Sequence, residues 1–153
     1  MPRLLAPKPP RPRARRSRSA WRGRSRATAP ATSRPATAEK VKICLLDFLA
    51  CAFEAHSLPW ARQAQALATD GAGPCAIVGT ALKVPAGDAA FANSVAGHGL
   101  VREDMHTGSV SHLGIIIMPA LLALSQERKI DGRAFIAAAW SSAMRSAAAS
   151  AVR

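Results

Sequence analysis

The stretch KVKICLLDFLACAF, residues 40–53, decides the fold of this chain of 153 residues. Its apolar side chains recur at helical spacing, and they are Val41, Cys44, Leu45, Phe48, Leu49, Ala52 and Phe53. A continuous stripe with a period of about 3.6 residues is typical of an amphipathic helix that buries one face. The sequence therefore predicts a helix over residues 38–55 and a core against which that helix packs.

Further helices are predicted on both sides of a short extended segment. Pro59 marks the first turn of a second helix that runs to about Thr69, with Trp60, Gln63, Ala64 and Leu67 on one side. Residues 75–78 are expected to be extended and to end at Gly79. Residues 86–100 are predicted to form a helix of small residues, whose backbone can approach its neighbours closely.

The C-terminal third is predicted to contain two more helices. One runs from Leu113 to Arg128, and Pro119 should kink it or mark its start. Its apolar part has 12 residues, fewer than the roughly 20 that a membrane span needs. Asp131 is a candidate N-cap for a last helix that passes through Trp140. The predicted fold class is therefore all-α, with at most one short strand.

Charge divides the chain at about residue 37. Residues 1–37 contain 11 of the 21 Lys and Arg residues and none of the 9 Asp and Glu residues, so the remainder is nearly neutral. The formal net charge of +12 is thus a property of this head and does not indicate a nucleic-acid-binding fold. No nucleic acid and no membrane is expected as a partner.

The head is rich in Pro, Arg and Ser and has no periodic apolar pattern, so we predict that residues 1–37 are disordered. Three explanations compete for it: an organelle transit peptide, a basic arm for polyanions, and translated non-coding sequence from a GC-rich gene. We favour the last, which leaves a cytoplasmic localisation rather than a mitochondrial one.

Neither a metal nor a cofactor is expected. The three cysteines are odd in number, and two of them lie on or beside the apolar face of a helix, which indicates reduced thiols in a reducing compartment. They show no Cys-x-x-Cys or Cys/His ligand spacing that would indicate a metal. The spacings of His98, His106 and His112 match no zinc pattern, and the glycines form no nucleotide-binding motif.

The segment GHGLVREDMHTGSVSHLG, residues 97–114, concentrates proton-transfer groups immediately before an apolar helix. The candidate catalytic residues are His112, Asp104, His106 and Glu103. Imidazoles and carboxylates together suit general acid–base chemistry on an acidic substrate. We expect Asp104, His106 and His112 to share one polar pocket mouth at the helix N-terminus. In the alternative, His112 only caps the helix while the two acids face water.

Five stretches carry a family resemblance, and they are KVKICLLDFLACAF, LPWARQAQALA, AIVGT, DAAFANSVAGHGLVREDMHTGSVSHLG and MPALLALSQERKIDGRAFIAAA. In this order, over residues 38–140, the chain resembles the N-terminal helical region of the MmgE/PrpD family, which includes 2-methylcitrate dehydratase and cis-aconitate decarboxylase. The resemblance implies cofactor-free lyase or isomerase chemistry on a small carboxylated substrate, and a homodimer in the full-length form.

The family's site residues transfer to this chain only in part. The family commonly has a D-F-D-D-T run and a later histidine in an H-P-G context; Asp104 matches the last acid of the run, Glu103 the acid before it, and His112 the later histidine. The departures are Val101 for the first acid, Met105 for the threonine and Leu113 for the proline. They imply a subgroup, and we hypothesise that His106 supplies what the missing acid does elsewhere.

The resemblance also implies a second α/β domain that supplies basic and further catalytic groups, so we expect this chain to be a fragment that is inactive in isolation. The Ala/Ser-rich tail, residues 141–153, is compatible with a frameshift near Trp140, and the alternative is a helix that simply frays.

Two functions from different classes are open. The first is a fragment of a cofactor-free lyase or isomerase, and the second is a non-enzymatic basic helical module that binds polyanions through its N-terminal arm. The confinement of the net positive charge to the head and the scarcity of aromatic residues favour the first.

Overall fold

The computed structural model describes residues 35–68 and 72–143, and the backbone of residues 144–150. This part contains five helices and one two-stranded sheet, and they are α1 (Pro35–Ala55), α2 (Pro59–Leu67), β1 (Cys75–Ala76), β2 (Lys83–Val84), α3 (Ala86–Gly97), α4 (Gly114–Arg128) and α5 (Gly132–Ser150). The all-α fold class is confirmed. Residues 1–34 of the predicted disordered head lie outside the described residues, whereas Pro35, Ala36 and Thr37 already belong to α1.

Two apolar clusters form the core, and α3 contributes to both. The first joins all five helices and consists of Val41, Phe48, Ala52, Ala61, Ala96, Ile117, Met118, Phe135 and Ala139. The second covers the small sheet and consists of Ala64, Ala68, Cys75, Ile77, Val84, Ala89, Ala92 and Ala123. The small side chains of α3 allow the other elements to pack closely around it, as the sequence predicts.

The buried faces of α1 and α2 differ from the predicted stripes near the point where the two helices meet. Phe53 is 62% exposed, and Ala55 is buried instead. In α2, Trp60 and Leu67 are exposed, while the alanines at 61, 64 and 68 face the core. The predicted burial of Phe53, Trp60 and Leu67 was wrong, whereas that of Ala64 is confirmed, because small alanines make the close contacts of α2.

The sheet contains one strand more than the sequence predicts. Cys75 pairs with Val84 in an antiparallel ladder. Asn93, buried in α3, accepts a hydrogen bond from Val78 N (2.8 Å) and donates one to Ala76 O (3.0 Å). A two-residue strand at Lys83–Val84 carries no periodic pattern, which is why the sequence does not reveal it.

The two C-terminal helices follow the prediction with one correction. Pro119 is fully buried in the interior of α4 and does not mark its start. Asp131 is the N-cap residue of α5, since its Oδ1 accepts a hydrogen bond from Ala134 N (2.8 Å). Helix α5 continues past Trp140 to Ser150. Among the described residues, no helix has the length and apolarity that a membrane span requires.

The close approach of α3 to α1 gives a first prediction. A Cβ atom at Gly97 would lie 2.8 Å from Cε2 of Phe48, which is completely buried and has no room to move. We expect Gly97→Ala to lower the free energy of unfolding by about 1–3 kcal/mol, the usual cost of overpacking. Denaturant titration followed by circular dichroism measures it.

Gly87→Ala in the same helix is the matched control, because a Cβ there meets nothing within 4 Å. It should leave stability unchanged or raise it by up to about 1 kcal/mol. Equal unfolding free energies for the two variants would contradict the close approach.

Candidate active site

The histidine- and acid-rich loop connects two helices that pack against each other. It leaves α3 at the helix cap, His98, and enters α4 at Gly114. Its N-terminal end is fixed by turns in which Gly99 and Val101 donate backbone hydrogen bonds to Ala96 O (2.9 Å) and His98 O (3.0 Å). The functional side chains are therefore held by the core and not by a free loop.

Glu103 lies at the centre of the first group of polar side chains. Its side chain is completely buried, between the imidazoles of His98 and His112. His98 Nδ1 is hydrogen-bonded to Glu103 Oε1, and His112 Nδ1 lies 2.9 Å from the same oxygen. The two rings are 5.3 Å apart between centroids and are nearly perpendicular. One buried carboxylate thus faces two imidazoles.

Two buried atoms of this group have no hydrogen-bond partner. They are Glu103 Oε2 and His112 Nδ1, although His112 Nδ1 lies 2.9 Å from Glu103 Oε1. Buried polar atoms without a partner are uncommon and carry a free-energy cost, so they need a structural or functional reason.

The surroundings of Glu103 favour its ionised form. Burial acts to raise the pKa of this carboxyl, but its backbone N–H, the hydrogen bond from His98 and the charges of His98 and His112 together hold the pKa below its usual value. Glu103 is therefore a carboxylate that can accept hydrogen bonds and orient the imidazoles.

Asp104 turns to the other side of the loop. Its backbone N–H donates to Asp47 Oδ2 in α1 (3.0 Å), and its carboxyl group lies against Gly114, where a Cβ would come within 1.9 Å of Oδ1. Burial and then the charge of Asp47 raise the pKa of Asp104, while the Gly114 amide and Lys40 act in the opposite direction. Adjacent carboxyls thus have oppositely shifted pKa values.

Asp104 and His106 line a cavity of about 360 Å³ between α1, α4 and α5. Lys40 and Cys44 contribute from α1, and Trp140 from α5. The walls are mainly apolar with a few polar groups, which is the usual character of a small-molecule site.

His106 is exposed and belongs to a tight turn. Its Nδ1 accepts a hydrogen bond from Ser109 N (3.2 Å) and lies 2.7 Å from Ser109 Oγ, which contacts Ser111 Oγ at 2.6 Å. Because Nδ1 accepts from a backbone amide, the neutral ring carries its proton on Nε2.

The prediction that Asp104, His106 and His112 share one pocket mouth is wrong. Asp104 and His106 line the cavity, whereas His112 is not among its lining residues and turns to Glu103. The alternative is also wrong in two respects: α4 has Leu113 at its N-cap position with no side-chain cap, and Glu103 is buried.

Three residues of the site, His98, Asp47 and Lys40, are not among the catalytic candidates that the sequence predicts. Asp47 interrupts the apolar segment of α1 between Leu46 and Phe48, and an acid in such a place was the available signal.

Comparison with known proteins identifies the family. The family profile described as the MmgE/PrpD N-terminal domain matches residues 26–142, well over half of the chain. The chain therefore belongs to the MmgE/PrpD family through this N-terminal domain. No curated protein and no solved structure gave a match.

The raised pKa of Asp104 gives the second prediction. Because the pKa of Asp104 is raised in the folded state, this carboxyl group stabilises the fold at pH values below 3.8, the ordinary pKa of the group. That stabilisation is lost as the pH rises through the folded-state pKa. At pH 7 the buried charge is therefore unfavourable, and Asp104→Asn should raise Tm in buffer containing a chelator.

The gain in Tm should shrink as pH falls towards 3.8. Asp88→Asn, an exposed acid in the first turn of α3, is the control and should not raise Tm at pH 7. If Asp104→Asn is less stable than the parent chain at pH 7, Asp104 makes a favourable charged interaction and the assignment fails.

A third prediction concerns Val101, whose backbone lies in the left-handed region with φ 51°. A β-branched residue is unfavourable there, whereas Asn and Asp tolerate this conformation. The side chain is 64% exposed, so replacing it removes little packing. Val101→Asn should raise the free energy of unfolding by about 1 kcal/mol, measured by denaturant titration.

Ile116→Asn is the control, since Ile116 is equally exposed but lies in α4. It should give no gain. A loss of stability at Val101→Asn would mean that the valine side chain makes a contact that outweighs the backbone strain.

Proposed function

We propose that this domain forms part of a cofactor-free lyase or isomerase that acts on a small carboxylated substrate. The observation that carries the proposal is the buried Glu103 carboxylate facing two imidazoles, next to an Asp104 carboxyl whose pKa is raised. Titratable groups whose environments separate their pKa values are characteristic of acid–base sites.

In the proposed mechanism His112 transfers the proton. The Glu103 carboxylate faces Nδ1 of His112, which leaves Nε2 as the atom that meets substrate. The base removes a proton from the carbon next to a substrate carboxylate, and the C–H electron pair forms a double bond as the leaving group departs. If the leaving group is hydroxide, it takes a proton from the acid and leaves as water.

Asp104 and His106 are proposed to act from the cavity. A carboxyl with a raised pKa is neutral over a wider pH range and then donates a hydrogen bond, which suits a substrate carboxylate or a departing hydroxyl. His106 presents Nε2, since Nδ1 is used by Ser109. Met105 and Val101 stand where the resemblance places a threonine and an acid, and His106 is proposed to replace the latter.

The charge balance of the site supports inactivity of the chain in isolation. Asp47, Glu103 and Asp104 lie together, and the cavity lining supplies one lysine, Lys40. Binding of a substrate with two or three carboxylates requires more positive charge than this. We therefore propose that a second domain of the full-length protein supplies the remaining positive charge. We also propose that the full-length protein is a homodimer, as the family resemblance implies, and that it is cytoplasmic.

The polyanion-binding alternative receives less support from the described basic residues. Lys42 pairs with Glu39 (2.7 Å) and Arg102 with Glu54 (3.2 Å), so part of the positive charge on the folded surface is neutralised.

A chimera tests the proposed function. Residues 26–142 replace the matching N-terminal domain of an active MmgE/PrpD lyase, and substrate depletion is measured directly. The chimera should turn over substrate, and His112→Ala or Asp104→Asn should each lower kcat by about 10²-fold or more, the usual effect of removing an acid–base group. The isolated chain should show no turnover.

His56→Ala is the matched control, because His56 hydrogen-bonds to Phe53 O at the C-terminal end of α1 and lies against Gly79, away from Glu103 and Asp104. It should retain the parent rate. A folded, active chimera in which the His112 and Asp104 variants turn over normally would give the loop a structural role only.

A further inference from the structure

We propose that His98, Glu103 and His112 form a binding site for a divalent transition-metal ion of the Zn²⁺ class. This set differs from the three histidines of the loop, His98, His106 and His112, whose spacing matches no zinc pattern, because the carboxylate of Glu103 takes the place of His106. The inference goes beyond the proposed function and does not depend on turnover.

The three side chains converge although they come from three places in the chain. His98 caps α3, Glu103 lies in the loop, and His112 comes two residues before α4. One ligand atom from each side chain lies within 4.8 Å of the others. In a tetrahedral zinc site, metal–ligand bonds of about 2.1 Å place ligand atoms about 3.4 Å apart. His112 Nδ1 and Glu103 Oε1, at 2.9 Å, need only a small opening to reach this spacing.

The unpartnered buried atoms favour a cation between these side chains. Glu103 has a completely buried side chain, and its Oε2 has no hydrogen-bond partner; His112 Nδ1 is also buried without one. Both atoms can donate a lone pair to a metal ion when Glu103 is ionised and His112 is neutral with its proton on Nε2. A cation between the three side chains would satisfy the carboxylate and the imidazole together, which the protein groups alone do not do.

The donor set and access select the kind of ion. Two imidazoles and one carboxylate suit Zn²⁺ and similar first-row ions, whereas Mg²⁺ and Ca²⁺ prefer oxygen ligands. Three protein ligands leave a fourth position for water. The His98 side chain is 45% exposed, so an ion can enter from solvent on that side.

A bound ion would also change the chemistry of His112. An imidazole that binds a metal through Nδ1 has lost that lone pair, and its ring orientation becomes fixed by the metal. The site would then compete with the proton-transfer role proposed for His112, so the metal would act as an inhibitor.

The experiment measures binding of ZnCl₂ to the tag-free, full-length chain by isothermal titration calorimetry, with Co²⁺ absorption as a spectroscopic check of low-coordinate nitrogen and oxygen ligands. We expect one ion per chain and a Tm that rises with free Zn²⁺, as binding to the folded state requires. His98→Ala and Glu103→Gln should each weaken binding by more than about tenfold, the lower bound for residues that merely orient a ligand.

Two control variants test whether other side chains of the protein bind the ion instead. His106→Ala removes an exposed imidazole from the same loop, and Cys44→Ser removes the thiol that lines the cavity; both should bind Zn²⁺ as the parent does. Residues 1–37 contain no His, Cys, Asp or Glu and add no competing ligand.

The proposal is overturned if the parent chain binds no Zn²⁺, or if the His98→Ala chain binds it as tightly as the parent. The His98 side chain is 45% exposed, so this variant should stay folded even where Glu103→Gln does not. Loss of binding in Cys44→Ser alone would place the ion in the cavity and overturn the assignment as well. A failure here leaves the chimera experiment unaffected, since that experiment measures turnover.

Discussion

The close packing of α3 is the constraint on which the rest of the structure depends. Gly97 lies against Phe48 of α1, and Gly99 lies against Ala55, so neither position has room for a side chain. Asn93 ties the same helix to the sheet through two hydrogen bonds. Because α3 is held against both α1 and the sheet, the loop that follows it starts from a fixed point, and His98 is placed by the core.

The pKa values of two adjacent acids, Glu103 and Asp104, are shifted in opposite directions by the groups on the two sides of the loop. Glu103 is buried against two imidazoles, which favour its charge, whereas Asp104 lies beside Asp47, which opposes charge. The half-buried Asp104 lies next to Asp47, and its burial and this proximity raise its pKa, so we expect its charged form to be unfavourable near neutral pH. The same side chains that make the loop costly thus give it two carboxyl groups of different chemistry.

Periodicity predicted the parts of the fold that depend on local pattern. The small-residue helix and the Asp131 cap follow from side-chain size and hydrogen-bonding chemistry within a few residues, and both are present. The exposure of Phe53 could not be predicted, because it results from where α1 meets its neighbours and not from α1 itself. For the same reason the sequence placed Asp104, His106 and His112 in one group, although the contact with the buried Glu103 turns His112 away from the cavity that Asp104 and His106 line.

The contribution of α1 to the site links stability to chemistry. Asp47 lies one residue before Phe48, which fills the core under Gly97, so any shift of α1 moves both the core contact and the partner of the Asp104 amide. A rigid helix therefore sets the distance between two carboxyl groups, and with it how far the pKa of Asp104 is raised. A positive charge placed in this cavity would lower that pKa again, so the protonation state of Asp104 depends both on the position of α1 and on what occupies the cavity.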